Sequence, residues 1–187
     1  MRILFKNQGG QTLSFKDIQI DKSKILDEVI IFTPTVNEDK RGRIFTTYSK
    51  DIYKKFLPDG LEFIHDKFAE SRKKVLRGLH GDNKTWKLIS CIYGDIFEVV
   101  VDMRPDSLTY LKWDAFELND KNKKQVLVPP NFVNGYCVLS DFAIFHYKLA
   151  YVGEYFDVDQ QTVVKWDDER LKINWPIKNP ILQARDK

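Results

Sequence analysis

Apolar and polar residues alternate with a period close to two along much of the chain, as expected of strands that bury one face. Residues 96–103 make the clearest case. Phe97, Val99, Val101 and Met103 fall on one face, and Ile96, Glu98, Val100 and Asp102 on the other. A buried Glu98 would need a cationic or hydrogen-bonding partner, and the interior of a ligand-lined barrel supplies a reason for one. Runs rich in β-branched and aromatic residues at 26–32, 44–48, 61–68, 88–93, 110–118, 125–128, 136–139 and 143–151 predict further strands. Turns rich in Pro, Asn and Asp separate them, and Gly94-Asp95 predicts a two-residue hairpin between its flanking strands. Residues 37–43 read as a polar turn. Helical patterning is confined to residues 50–56, with Ser49 as the cap and Pro58-Asp59-Gly60 beyond the end. The pattern predicts an all-β sandwich or barrel with a few short helices.

Composition narrows the picture without changing it. A chain of 187 residues with 43% hydrophobic and 13% aromatic content suits one domain with a full core, and no internal boundary stands out. Residues 1–25 read as an extension: a flexible arm, or an edge strand that pairs elsewhere, including onto a partner subunit. With 30 basic against 27 acidic residues, the net charge of +3 makes no case for nucleic acid or a membrane surface. Cys91 and Cys137 lie inside apolar runs, so neither a disulfide framework nor a cysteine metal site is expected. No apolar run is long enough to span a bilayer, and the N-terminal apolar stretch is too short for a signal peptide. These features predict a soluble cytoplasmic protein.

Candidate chemistry concentrates in Lys74-Val75-Leu76-Arg77-Gly78-Leu79-His80 and, seven residues on, Lys87. A histidine on the rim of a sheet can act as a base near neutral pH, and a nearby ammonium can hold the anion left when a proton is removed. By residue type alone these side chains fit equally well a satisfied strand-end histidine and solvated charges.

Other motifs add weight to the chemical reading. In order they are Asp39-Lys40-Arg41-Gly42-Arg43-Ile44-Phe45, the stretch 74–80, Lys87-Leu88, residues 94–104, Ser107-Leu108-Thr109, Val128-Pro129-Pro130-Asn131-Phe132, Phe145-His146-Tyr147-Lys148, Trp166-Asp167-Asp168 and Ile173-Asn174-Trp175-Pro176. Together they resemble the dTDP-4-dehydrorhamnose 3,5-epimerase family from about residue 26 to residue 186. The resemblance implies a cupin fold, a double-stranded β-helix jelly roll, and inversion of carbons beside the ketone of a nucleotide-linked 4-keto sugar. It places His80 as catalytic base, Asp186 as the carboxylate that orients it, Lys87 beside the sugar carbonyl and Tyr147 as general acid. It places Arg41 and Arg77 at the diphosphate and nucleotide, and it implies a homodimer. Without it, Tyr147 would read as a packed aromatic alternating with Phe145 and Leu149, and Asp186 as part of a frayed tail. His146 points to the opposite strand face and takes a structural role.

The chain departs from the family pattern around the ligand. Asn134-Gly135-Tyr136 stands where His-Gly-Phe is usual, Asn131 where glycine is usual, and Gly81-Asp82 where an aromatic and a glutamine follow the histidine. His65-Asp66-Lys67 replaces Gln-Asp-Asn near the nucleotide base, and Thr46 replaces a glutamate. His65, Lys67, Glu98 and Asn134 are therefore expected to contact substrate or nucleotide. Changed contacts alter specificity before they abolish enolisation, which points to a GDP-linked 4-keto heptose or deoxysugar of surface polysaccharide synthesis, with the dTDP-linked rhamnose precursor as the alternative. A cupin 3,4-ketoisomerase and a non-catalytic sugar-binding module are the rivals. The first is opposed by the lack of a second histidine in His80-Gly81-Asp82, the second by retention of base, acid and dyad partner together. With three histidines, no metal ligand set is expected, and enolisation needs no organic cofactor.

Overall fold

A computed structural model describes residues 17–187. The strands in order are β1 (Ile18–Lys22), β2 (Ile30–Pro34), β3 (Asn37–Asp39), β4 (Gly42–Ile44), β5 (Phe63–Arg72), β6 (Leu76–Gly81), β7 (Trp86–Tyr93), β8 (Asp95–Asp102), β9 (Trp113–Asn119), β10 (Gln125–Val128), β11 (Phe132–Val138), β12 (Phe142–Ala150) and β13 (Thr162–Val163). One short helix, α1 (Lys50–Tyr53), runs into a 3-10 turn at Lys54–Phe56. Two larger sheets stack face to face, ordered β1-β2-β10-β7-β12-β5 and β13-β6-β11-β8-β9. All their named pairings are antiparallel, so the expected all-β jelly roll is the fold observed.

Alternation along β8 does what the pattern predicts. Ile96 and Val100 point between the sheets, into a core with Ile89, Leu118, Val126, Phe132 and Phe145. Val99 and Val101 point outward, under Val164, Leu171, Ile173 and Trp175 of the C-terminal segment. The outer face of the other sheet is covered by Tyr53 and Leu57, packed on Phe32, Leu88 and Leu127. Each sheet thus buries part of its second face as well, which makes central strands such as β10 and β11 more apolar than simple alternation requires.

Three expectations change. Gly94-Asp95 does not close a hairpin, because β7 and β8 belong to different sheets. The chain turns a corner there instead. Gly94 has φ +81, a Cβ on it would stand 2.2 Å from Phe142 O, and its N–H donates to Asp120 Oδ2 at 2.9 Å. Residues 37–43 form a small exposed hairpin of β3 and β4, whereas residues 45–48, expected as strand, carry no ladder. Ser49 occupies the cap position of α1 without a capping side-chain bond. In the extension, β1 pairs along β2 of its own chain; residues 1–16 lie outside the described residues.

Two departures from the family pattern have local causes. Asn131 sits at φ +65, and asparagine is among the few side chains that tolerate that conformation well. Gly81 faces the backbone of β11 so closely that a Cβ would stand 2.1 Å from Phe132 O, which leaves no room for an aromatic in this backbone arrangement.

Candidate active site

A cavity of about 310 Å³ opens between the two sheets. Lys87, Ile89, Tyr147 and Leu149 reach it from the six-stranded sheet, and Arg77, His80, Asn134 and Tyr136 from the other. The loop after β12 adds Tyr155 and Gln161, and the last residues of the chain add Gln183 and Arg185.

His80 owes its setting to the C-terminus. Leu76 N–H donates to Ile181 O and Ile181 N–H to Lys74 O, which binds the tail beside β6. A closing 3-10 turn, Ala184–Asp186, then places Asp186 at 0% exposure beneath the imidazole. His80 Nε2 lies 2.7 Å from Asp186 Oδ1 and 3.1 Å from Arg185 Nε. One nitrogen cannot both give a proton to the carboxylate and accept one from the guanidinium. The shorter contact, to a fully buried carboxylate whose Oδ2 has no hydrogen-bond partner among the described residues, decides for Nε2–H donating to Asp186. Nδ1 then keeps the lone pair. Burial and the Arg185 charge push His80 down to about 4 against the opposing pull of Asp186, so the ring is a free base at neutral pH.

Lys87 is fixed by two acceptors. Its Nζ donates to His80 O at 2.9 Å and to Asn134 Oδ1 at 2.8 Å. Burial lowers it to about 8, with Arg185 and Lys67 adding to the fall, while Asp82 and the ionised form of Glu98 favour the ammonium. Tyr147 is raised above the ordinary tyrosine range by burial, against the lowering effect of nearby Lys67, and so keeps its proton at neutral pH. Arg77 Nε donates to Ser71 Oγ at 3.1 Å, and Ser71 lies 3.2 Å from the Tyr136 hydroxyl, whose ring stacks on Phe145 at 4.2 Å between centroids.

The fold therefore gathers His80, Lys87, Tyr147, Arg77, Lys67 and Asn134 at one cavity, with Asp186 buried behind His80. It does not bring in three others. Arg41 rides on the β3–β4 hairpin with its side chain 83% exposed and paired to Asp39, away from the cavity of its own chain. His65 packs against Tyr151 and Tyr155, its Nδ1 3.2 Å from the Tyr151 hydroxyl, and does not line the cavity. Glu98 sits at 0% exposure behind Asn134, so it cannot touch a ligand directly. His146 lies on the outer sheet face between Ser90 and Asp66. Sequence reasoning missed Arg185, Tyr155 and Gln161. Tyr155 accepts from Lys67 Nζ at 3.2 Å, and Arg185 Nη2 donates to Gln161 Oε1 at 3.2 Å. They come from a loop and a charged tail with no periodicity, and only the placement of Asp186 could have pointed to its neighbour. Among the described residues no cluster of His, Cys, Asp and Glu could hold a metal ion, and no helix is long and apolar enough to cross a membrane.

Comparison with known proteins points one way. A family model described as dTDP-4-dehydrorhamnose 3,5-epimerase matches residues 23–187. A dTDP-4-dehydrorhamnose 3,5-epimerase of Shigella flexneri is 36% identical over 172 residues, covering 90% of this chain and 93% of the relative. The structure of dTDP-6-deoxy-D-glucose-3,5-epimerase from Legionella pneumophila, in complex with dTDP-4-keto-L-rhamnose, matches with TM-score 0.84 and 32% identity over 91% of this chain and 90% of that one. That of dTDP-4-dehydrorhamnose 3,5-epimerase from Elizabethkingia anophelis matches with TM-score 0.80 and 34% identity over 90% of this chain and 93% of that one.

Proposed function

Because this chain belongs to the dTDP-4-dehydrorhamnose 3,5-epimerase family, we propose that it inverts C3, C5 or both in a dTDP-linked 4-keto-6-deoxy sugar. The expected preference for a GDP-linked heptose draws no support from these relatives, whose names specify dTDP sugars. The alternative substrate thus becomes the main reading. The observation that carries it is the division of labour across the cavity: a neutral histidine on β6 of one sheet faces a protonated tyrosine on β12 of the other, with an ammonium from β7.

The chemistry follows from that placement. A hydrogen beside a ketone is weakly acidic, so its removal needs a base and a cation at the oxygen that becomes an enolate. His80 Nδ1 takes the proton, and Asp186, bonded to Nε2–H, stabilises the imidazolium. Lys87 holds the enolate oxygen. Tyr147 delivers a proton to the carbon from the opposite wall, inverting it, and recovers one from solvent, to which His80 releases the proton it took. Lys67, 5.9 Å from the Tyr147 ring centroid, favours the transient phenolate. The cations Arg77, Lys67 and Arg185 give the cavity the positive potential a diphosphate requires. A homodimer extends the reading: edge strand β5 exposes Ile64 and Phe68, each at 63%, and sedimentation would detect the pairing. The buried free thiols Cys91 and Cys137 suit a reducing cytoplasm.

Incubation in deuterium oxide with dTDP- and GDP-linked 4-keto sugars tests the proposal. Deuterium is expected at C3, at C5 or at both with the dTDP sugar. Exchange confined to the GDP sugar would overturn the nucleotide, and tight binding with no exchange on either would overturn the enzyme.

A pH profile tests the base. With His80 held below its usual range, the acid limb of kcat/KM is expected below pH 6. Arg185 disfavours the imidazolium, so Arg185→Leu should move that limb upward by about one pH unit. An unmoved limb would show that Arg185 does not act on His80.

A further inference from the structure

Behind Lys87 runs a chain of bonds that the reaction above does not use. Asn134 Oδ1 accepts from Lys87 Nζ at 2.8 Å, and Asn134 Nδ2 donates to Glu98 Oε1 at 2.8 Å. An ammonium only donates, so the amide can face it in one way. Its NH2 end must then point at Glu98. The other carboxyl oxygen, Glu98 Oε2, is buried with no hydrogen-bond partner among the described residues. An ionised carboxylate in that setting would bear most of its desolvation cost uncompensated. A protonated one would not. We propose that Asn134 is a positioning residue for Lys87, anchored from behind by a neutral Glu98, and that it leaves one ammonium N–H for the enolate oxygen.

The arithmetic of donors supports this. Lys87 has three N–H groups; His80 O and Asn134 Oδ1 take two, and the third remains for a ligand. Burial raises Glu98 to about 8, against the pull of Asn134 and Lys87, which agrees with a neutral carboxyl at pH 7. A neutral anchor matters because an ionised Glu98 would compete with the enolate for the Lys87 charge. Asparagine suits the middle position for the same reason. It relays orientation and can never carry a charge of its own, whereas a histidine there could become a second cation. The other charged groups acting on Lys87 are Asp82, which favours the ammonium, and Arg185 and Lys67, which oppose it.

This inference rests on the epimerase reading for its rate effects, so one readout is independent of turnover. In the full-length protein, the pH dependence of Lys87 acetylation by acetic anhydride, followed by mass spectrometry, reports the ammonium directly. Asn134→Leu removes one acceptor and should lower that titration by about one unit. It should also lower kcat for deuterium exchange by about 100-fold while KM changes less than about threefold. Glu98→Leu should lower kcat in the same manner, and Glu98→Gln, which keeps a neutral acceptor for Asn134, should recover most of that loss. An unchanged Lys87 titration in Asn134→Leu overturns the relay whether or not the wild type turns over. A rise in KM alone would make Asn134 a substrate contact, and failure of Gln to outperform Leu at position 98 would show that the carboxylate acts ionised. Absence of exchange in the wild type, with the titration shift present, would refute the epimerase reading and leave the relay standing. Thermal melts confirm folding, and should Asn134→Leu fail to fold, the two Glu98 variants carry the test.

Discussion

His80→Asn is expected to slow deuterium entry beside the ketone by about 10³-fold, within the range that a positioned general base contributes. Asparagine keeps a polar group at the position but has no titratable lone pair. Lys87 and Tyr147 remain, so binding of the nucleotide sugar should survive. Asp186→Asn should follow much of the way, because an amide can no longer accept the Nε2 proton in a charge-assisted bond and its NH2 favours the wrong tautomer. Exchange followed by NMR, with binding measured separately by calorimetry, checks both. Retention of wild-type exchange in His80→Asn would remove His80 from the mechanism, and loss of binding together with exchange would make it a structural residue.

The second large effect separates two steps. Tyr147→Phe should lower formation of inverted product by about 100-fold while wash-in of solvent deuterium with retained configuration continues. His80 can still take the proton and return a deuteron from its own face; the opposite wall no longer delivers one. Phenylalanine preserves the packing with Phe145, whose ring lies 5.2 Å from that of Tyr147, so stability should hardly change. The ratio of exchanged to inverted sugar is the measurement. Equal loss of both would assign Tyr147 to enolisation, and undiminished inversion would return it to the core.

Lys87, Asn134 and Glu98 show where reading by residue type stops short. Alternation along β8 showed which residues share a face with Glu98 and that it would need a donor if buried, but not that its face turns inward. The donor to its Oε1 sits 36 residues away on β11, and burial behind that donor keeps Glu98 from the direct ligand contact expected of it. His65 and Arg41 are the opposite case. Their motif positions suggested contacts, yet the strand and hairpin that carry them hold their side chains away from the cavity of this chain. The Gly94 corner is a related case, since turn chemistry specifies a local reversal but not which sheet receives each arm.

By itself, the periodicity of the sequence determined that this chain is an all-β sandwich or barrel and which residues of β8 share a face with Glu98, because alternation needs no knowledge of distant contacts. The jelly roll, and the expectation that His80, Lys87, Tyr147 and Asp186 act together, rested on the resemblance of the motifs to a family. Tertiary structure alone decided that the tail is bound to β6 so that Asp186 lies 2.7 Å from His80, that Arg185 joins them, and that Asn134 links Lys87 to Glu98. The reason is physical. A pKa, a tautomer or a hydrogen bond depends on burial and on partners up to 106 residues away in sequence, and those quantities exist only once the two sheets have closed on one another.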